Sequence, residues 1–304
     1  ELGKTAGLDT KDRWCSGVSI VDINGDGLLD VYVSATMKNA ERDRQNMLFV
    51  NQGIKDGKPS FKELAAEYGI NDNGHSEHAA FFDYDKDGDL DCYLLNHAVH
   101  NTRSYDRVNT RMLKDNEAGD YLYRNDGSKF KDISAESGIY QAAMGYGLGI
   151  SVADLNNDGW LDIYVSNDFH EDDYYYINQK DGTYKEGIKE HFKHLSRFSM
   201  GSDIADINND GFQDIYISND KPTYINRLYK NNGDGTFDDV SISSGAGIDI
   251  NAMTTTIGDY NNDGWFDIYV TNTPQGNQLL KNNGDGTFTD VAASTGTSFD
   301  SLGW

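Results

Sequence analysis

The stretch Asp154-Leu155-Asn156-Asn157-Asp158-Gly159-Trp160-Leu161-Asp162, followed by Ile163-Tyr164-Val165-Ser166, decides the fold. Oxygen-bearing side chains stand at alternate positions, a glycine marks a sharp turn, and an acid closes the stretch before an apolar run. The pattern Asp-x-(Asp/Asn)-x-Asp-Gly-x-x-Asp begins again at Asp22, Asp83, Asp206 and Asp259. Such a set of oxygens suits a hard cation, and calcium fits best because it accepts six to eight oxygens in a flexible shell. The EF-hand is excluded. Its loop needs an acid at the twelfth position, which here holds Val33, Leu94, Val165, Ile217 and Val270. The flanks are rich in Ile, Val and Tyr, so each loop is expected at the tip of a β-hairpin rather than between helices.

Outward from the loops, the chain repeats roughly every fifty residues, with two longer gaps. An apolar strand such as Val18-Ser19-Ile20-Val21 enters each loop and a second strand leaves it. A third strand ends in Asn, as in Leu228-Tyr229-Lys230-Asn231, and a Gly-containing turn leads to a fourth. Asn-Gly and Asp-Gly between apolar residues are strong hairpin signals. Four antiparallel strands per repeat, arranged radially, make a propeller blade. The expected fold is therefore all-β: a β-propeller of four-stranded antiparallel blades forming one domain over 1–304. Five complete blades are expected at about 15–70, 75–140, 143–195, 197–248 and 250–298, with partial blades at 1–14 and 299–304. Glu1 to Leu8 parallels Glu63 to Ile70, so the chain is read as starting in the fourth strand of an earlier blade, as a segment of a longer chain.

Composition narrows the function. There are 50 acidic residues against 26 Lys and Arg, for a formal net charge of −24. Much of this acid lies in the loops. A surface of this sign argues against general nucleic-acid binding, which needs clustered Lys and Arg. No apolar run approaches the ~18 residues of a membrane-spanning helix. Of the two cysteines, Cys92 occupies a slot held elsewhere by Val31, Ile163, Ile215 and Ile268, so it reads as a small core residue. A Cys15–Cys92 bridge stays open at this point.

Five such loops, each with a Tyr-Val-Ser-like strand after it and a Leu-Tyr-x-Asn…Gly-Thr-Phe hairpin, resemble the FG-GAP/VCBS repeats of integrin α subunits and many bacterial surface proteins. The resemblance implies a seven-bladed propeller. Tyr93-Leu94-Leu95-Asn96-His97 and Arg197-Phe198-Ser199-Met200-Gly201 look more particularly like surface proteins of Bacteroidota related to the cartilage acidic protein (ASPIC/UnbV) group. That likeness implies a secreted or lipid-anchored protein at the cell surface, beside SusC/SusD-type outer-membrane proteins. Carried over loop by loop, it implies five Ca²⁺ sites. Their ligands would be Asp22, Asn24, Asp26, Leu28 and Asp30; Asp83, Asp85, Asp87, Asp89 and Asp91; Asp154, Asn156, Asp158, Trp160 and Asp162; Asp206, Asn208, Asp210, Phe212 and Asp214; and Asp259, Asn261, Asp263, Trp265 and Asp267. The seventh position of each loop would contribute its backbone carbonyl. The second loop has Asp85 where the others have Asn, and a further acid in Asp89, so it is expected to bind tightest.

Partner binding is expected on the connections away from the loops. The insertion at 97–120 carries His97, His100, Arg103, Tyr105, Arg107, Arg111 and Lys114, a basic island on an acidic chain, with His75 and His78 nearby in sequence. A glycan or an acidic protein would fit it; alternatively its arginines pair with the chain's own carboxylates. His75 and His78 without a third ligand are a weak metal pair. The run Asn167 to Asp173 is read as a solvated or capping acidic connection, and Gly145, Gly147 and Gly149 as marks of close strand packing. The leading function is a calcium-binding extracellular module for a protein or glycan, without chemistry of its own. The alternatives are a calcium-dependent carbohydrate-active enzyme such as a polysaccharide lyase, and a purely architectural subunit.

Overall fold

The computed structural model describes residues 3–37, 40–99, 113–127, 129–169, 171–221, 223–274 and 276–299. It contains five four-stranded antiparallel sheets in simple up-and-down order. The first is β1 (Trp14–Val21), β2 (Asp30–Thr36), β3 (Met47–Lys55) and β4 (Lys58–Glu63); the second is β5 (Ser76–Phe82), β6 (Asp91–Asn96), β7 (Tyr121–Asn125) and β8 (Phe130–Asp132). The third is β9 (Gly147–Ala153), β10 (Asp162–Asn167), β11 (Tyr174–Asn178) and β12 (Tyr184–Glu186). The fourth is β13 (Ser199–Ala205), β14 (Asp214–Asn219), β15 (Arg227–Asn231) and β16 (Phe237–Asp239). The fifth is β17 (Ala252–Gly258), β18 (Asp267–Asn272), β19 (Gln278–Asn282) and β20 (Phe288–Asp290). The all-β, four-strand expectation is met.

The chain divides into two compact units: residues 1–147 with 179–184, and residues 148–178 with 185–304. In the first unit the core lies between the first two sheets. Tyr32 of β2 is fully buried and meets Phe81 of β5 edge-on at 5.4 Å, among Leu48, Cys92 and Leu94. In the second unit the same tyrosine position, Tyr164 and Tyr216, faces the following sheet, with Ile215 and Ile217 in one cluster and Ile268 and Val270 in the next. Period-two alternation explains this: alternate residues of a strand point to one face of its sheet, so every second side chain meets the neighbouring sheet within the unit. Close approach appears where the glycines stand. A Cβ on Gly149 would lie 2.9 Å from the Cα of Gly201, a distance only glycine permits.

Three readings are refined. The N-terminal segment, read as the tail of a blade, forms a helical turn at Gly3–Ala6, α1, equivalent to α2 (Ala65–Tyr68). The later sheets end likewise, in α3 (Ser134–Ser137), α4 (Ile188–His191), α5 (Ser241–Ser244) and α6 (Ala292–Thr295). A four-residue turn is too short to show a 3.6-residue period in sequence. Cys15 and Cys92 are not bridged; Cys15 lies within β1 and is exposed, while Cys92 is buried in the core. Of the two readings of the acidic run at 167–173 the capping one holds: Glu171, Asp172 and Asp173 are buried, and Asp173 accepts the Asn167 amide at 2.8 Å. Lys189 and Arg197 pair with Asp172 at 2.9 and 2.7 Å.

Candidate metal centre

All five loops join the first and second strands of their sheets, and their internal hydrogen bonds repeat. In the third loop Asp154 accepts from the amides of Asp158 (2.9 Å) and Gly159 (2.8 Å), Asn156 accepts from Asp158 (3.0 Å), and Asp158 accepts from Trp160 (2.9 Å). The first, fourth and fifth loops repeat the bonds from the first position, as in Asp22, Asp206 and Asp259. These short side-chain-to-backbone bonds draw the turn tight. They gather carboxylates that repel one another, which favours a cation among them.

The closing acid has a second task that sequence reading missed. Both oxygens of Asp91 are held by backbone amides, Tyr84 at 3.0 Å and Asn125 at 2.8 Å. Asp162 bonds Leu155 and Asn178 in the same way, and Asp214 bonds Ile207 and Asn231. Each closing acid thus ties its loop to the third strand. Asp30 and Asp267 complete the series. Burial raises the closing acids above the usual carboxylate range, Asp91, Asp162 and Asp214 to about 7, against the opposing pull of the two amides. A bound cation would favour the ionised form. An asparagine on each third strand answers the acid: Asn231 donates to Gln213 O at 3.0 Å and to Leu155 O of the preceding sheet at 2.8 Å. Asn282 does the same with Phe266 and Ile207.

The second loop differs from the rest. Asp83 keeps its bond from Gly88 (3.1 Å), while its Oδ1 is buried without a hydrogen-bond partner, as is Oδ1 of Asp89. Oxygens of Asp83, Asp85 and Asp91 lie within 4.8 Å of one another, the one such acidic cluster among the described residues. Buried acceptors are normally satisfied, so these convergent oxygens fit a divalent cation. In the fourth and fifth loops an ammonium already stands close: Lys230 lies 3.5 Å from Asp210, and Lys281 lies 3.5 Å from Asp263.

A further position went unrecognised although the sequence carries its signal. The residue immediately before each third strand is Asn46, Asp120, Asp173, Asn226 or Asn277. Its side-chain oxygen accepts the amide of Ala35, Asn96, Asn167, Asn219 or Asn272 at 2.8–3.0 Å. Where it is Asp, the strand-two tyrosine donates to it: Tyr93 to Asp120 and Tyr164 to Asp173, both at 2.8 Å. Where it is Asn226 or Asn277, the amide donates to Tyr216 or Tyr269 instead.

The expected partner-binding residues are only partly brought together. His75 is buried, its amide bonds Glu117 O at 2.8 Å, and its Nε2 lies 3.9 Å from the Glu117 carboxylate. His97 packs edge-on against Tyr146 at 5.6 Å, with Nδ1 3.3 Å from Gly147 O, and burial lowers its pKa. His78 lies in β5 against Gly17 of β1, so His75 and His78 have different neighbours. Lys114 is exposed, whereas His100, Arg103, Tyr105, Arg107 and Arg111 lie outside the described residues. The described end of the insertion is tied down by a residue not anticipated: buried Arg44 reaches Glu117 at 2.9 Å and the Asn73 carbonyl at 3.0 Å.

The family of FG-GAP-like repeats matches residues 22–94, 112–165, 154–217, 206–270 and 259–304, and the chain belongs to it. No curated protein matches the sequence. Among solved structures, an Agrocybe aegerita lectin that recognises non-reducing terminal N-acetylglucosamine is 16% identical, with a TM-score of 0.50 over 93% of this chain and 66% of the lectin. The Vibrio cholerae biofilm matrix protein Bap1 is 15% identical, with a TM-score of 0.50 over 91% of this chain and 39% of Bap1. The chain thus spans less than two thirds of either protein. These likenesses place it among propeller-type folds. Among the described residues no helix is long and apolar enough to cross a membrane.

Proposed function

We propose that this chain is a calcium-stabilised binding module of the β-propeller class that works outside the cytoplasm and engages a protein or glycan partner without performing chemistry. The observation that carries the calcium part is the Asp83–Asp85–Asp91 cluster, with an unpartnered buried oxygen on Asp83. Five loops of one design argue for a structural role, each ion closing the turn between two strands. Loops of millimolar to submillimolar affinity fill where calcium is abundant, which is outside cells. In this reading the ions hold the sheets, and the long connections between second and third strands meet the partner, as loops on rigid scaffolds do. The lectin of similar fold recognises a sugar, so a glycan is compatible with the architecture. The resemblance to Bacteroidota surface proteins makes an outer-membrane complex of the SusC/SusD kind the first place to look for a protein partner.

The test is a pull-down from a native cell envelope in millimolar calcium, with the wild type beside Arg103→Ala/Arg107→Ala/Arg111→Ala. A partner held by the wild type and lost from the triple variant is expected. Equal capture by both would remove the basic island from the interface.

A further inference from the structure

The second unit repeats one seam twice, and the two copies are built differently. Between the third and fourth sheets the seam is filled by rings. Tyr175 lies edge-on to His191 at 5.5 Å, Phe192 stacks on Phe237 at 4.4 Å, and His191 Nδ1 meets Gly235 O at 2.8 Å. Register and the matching bonds from Gly187 to Tyr175 and from Val240 to Leu228 give the equivalents one blade later. Tyr175 becomes Leu228, Ile177 becomes Lys230, His191 becomes Ser244 and Phe192 becomes Gly245. Three rings and an aliphatic chain are exchanged for smaller or polar residues. Two of the four, Leu228 and Lys230, line a cavity of about 320 Å³ between the fourth and fifth sheets.

Its lining is divided by chemistry. Leu228, Val240, Ile207 and Phe288 supply an apolar floor, and Asn208, Lys230, Ser243, Asp285 and Thr287 supply polar groups. Lys230 is about half exposed and lies 3.5 Å from Asp210. Asp285 accepts from the amide and hydroxyl of Thr287 at 3.0 and 2.6 Å. Ser243 is exposed on α5 and donates to Val240 O at 3.1 Å, leaving its oxygen free to accept. An apolar floor with a few polar groups is the usual make-up of a small-ligand site, and this volume lies at the small end of the range. Ammonium and carboxylate groups along one lining suit a ligand whose neighbouring groups both donate and accept, which is what hydroxyls do. Asp285 offsets the one lysine of the lining, so the cavity offers no net positive charge to an anionic ligand.

We infer that the seam between the fourth and fifth sheets is a binding site for a single neutral sugar ring, its apolar face on Leu228 and Phe288 and its hydroxyls on the lysine, serine and aspartate. This rests on the binding-module reading and gives its glycan branch a location and a class.

The test is saturation-transfer NMR in millimolar calcium with the methyl glycosides of glucose, galactose, mannose and N-acetylglucosamine, and with methyl glucuronide as the anionic comparison. At least one neutral glycoside is expected to bind in the millimolar range, at least about tenfold tighter than the glucuronide. Ser243→Trp, an exposed helix position at the cavity, and Lys230→Ile, which copies Ile177, should each weaken it about tenfold or more with an unchanged circular dichroism spectrum. Binding that survives both variants would overturn this site and leave a glycan-binding module with its site elsewhere. If no glycoside binds the wild type, the site and the glycan branch both fall, and the protein-partner branch stands or falls by the pull-down.

Discussion

Replacing Asp91 by alanine is expected to cost about 2–6 kcal/mol of stability. The figure follows from the two backbone amides, Tyr84 and Asn125, that its carboxylate satisfies at 3.0 and 2.8 Å. Asp91 is fully buried, and a buried donor left unmade costs roughly 1–3 kcal/mol. Removing the side chain also removes a charge that burial opposes, so the loss should sit low in the range under chelator and high in calcium, where the ligand is lost as well. Asp91→Asn keeps one acceptor and turns an N–H toward the other amide, so it should lie between wild type and alanine. Urea unfolding at pH 7.5, with Asp85→Ala as the partly exposed comparison, measures this. If Asp91→Ala costs no more than Asp85→Ala, the closing acid is not the clamp between loop and third strand.

Asp120 should make the protein less stable as pH rises, and Asp120→Asn should remove that dependence. The carboxyl is buried, and burial raises its pKa from 3.8 to about 7 against bonds from Asn96 and Tyr93. Because the folded value lies above the unfolded one, the native state binds the proton more tightly. Its contribution to stability is fully present below pH 4, is lost as pH rises through the interval from about 4 to 7, and is absent above it. At about 1.4 kcal/mol per pH unit the full swing is at most roughly 4 kcal/mol. Three other blades show that asparagine fits: Asn46, Asn226 and Asn277 accept the matching amide. Beside them the tyrosine hydroxyl turns to a carbonyl one residue past the helix-ending glycine, that of Ile70, Ala246 or Thr297. In the second blade that residue is Ile139. The variant is expected to be more stable than wild type at pH 8, with the gap closing toward pH 5. Unfolding curves at both pH values would show it, and a variant less stable at pH 8 would contradict the account.

What the sequence made legible and what it hid divide along physical lines. The loops are legible because their oxygens sit at fixed spacing within nine residues and the turn needs its glycine. The strands are legible because each lies beside a loop or an Asn-Gly turn and alternates. The bonds that run between distant segments were hidden. Asp91 to Asn125, Asn231 to Leu155 and Arg44 to Glu117 join groups whose meeting is decided by how sheets stack. The Asx before each third strand was visible as a recurring letter, but only the paired amide shows what it does. The acidic run at 167–173 left two readings open for the same reason. Asp172 is paired by Lys189 and Arg197, which lie on and just after α4, two strands further on. His97 looked like part of a basic surface because charge, not burial, is what a sequence displays.

The central claim is that calcium in the loops holds the sheets together, and thermal unfolding in 5 mM calcium against a chelator tests it most directly. At 5 mM calcium a site with a dissociation constant of about 0.1–1 mM adds about 1–2 kcal/mol, so five sites together should raise the Tm by about 10 °C. The loss in chelator should be restored when calcium is added back. A Tm unchanged by chelator and by added calcium would contradict the account.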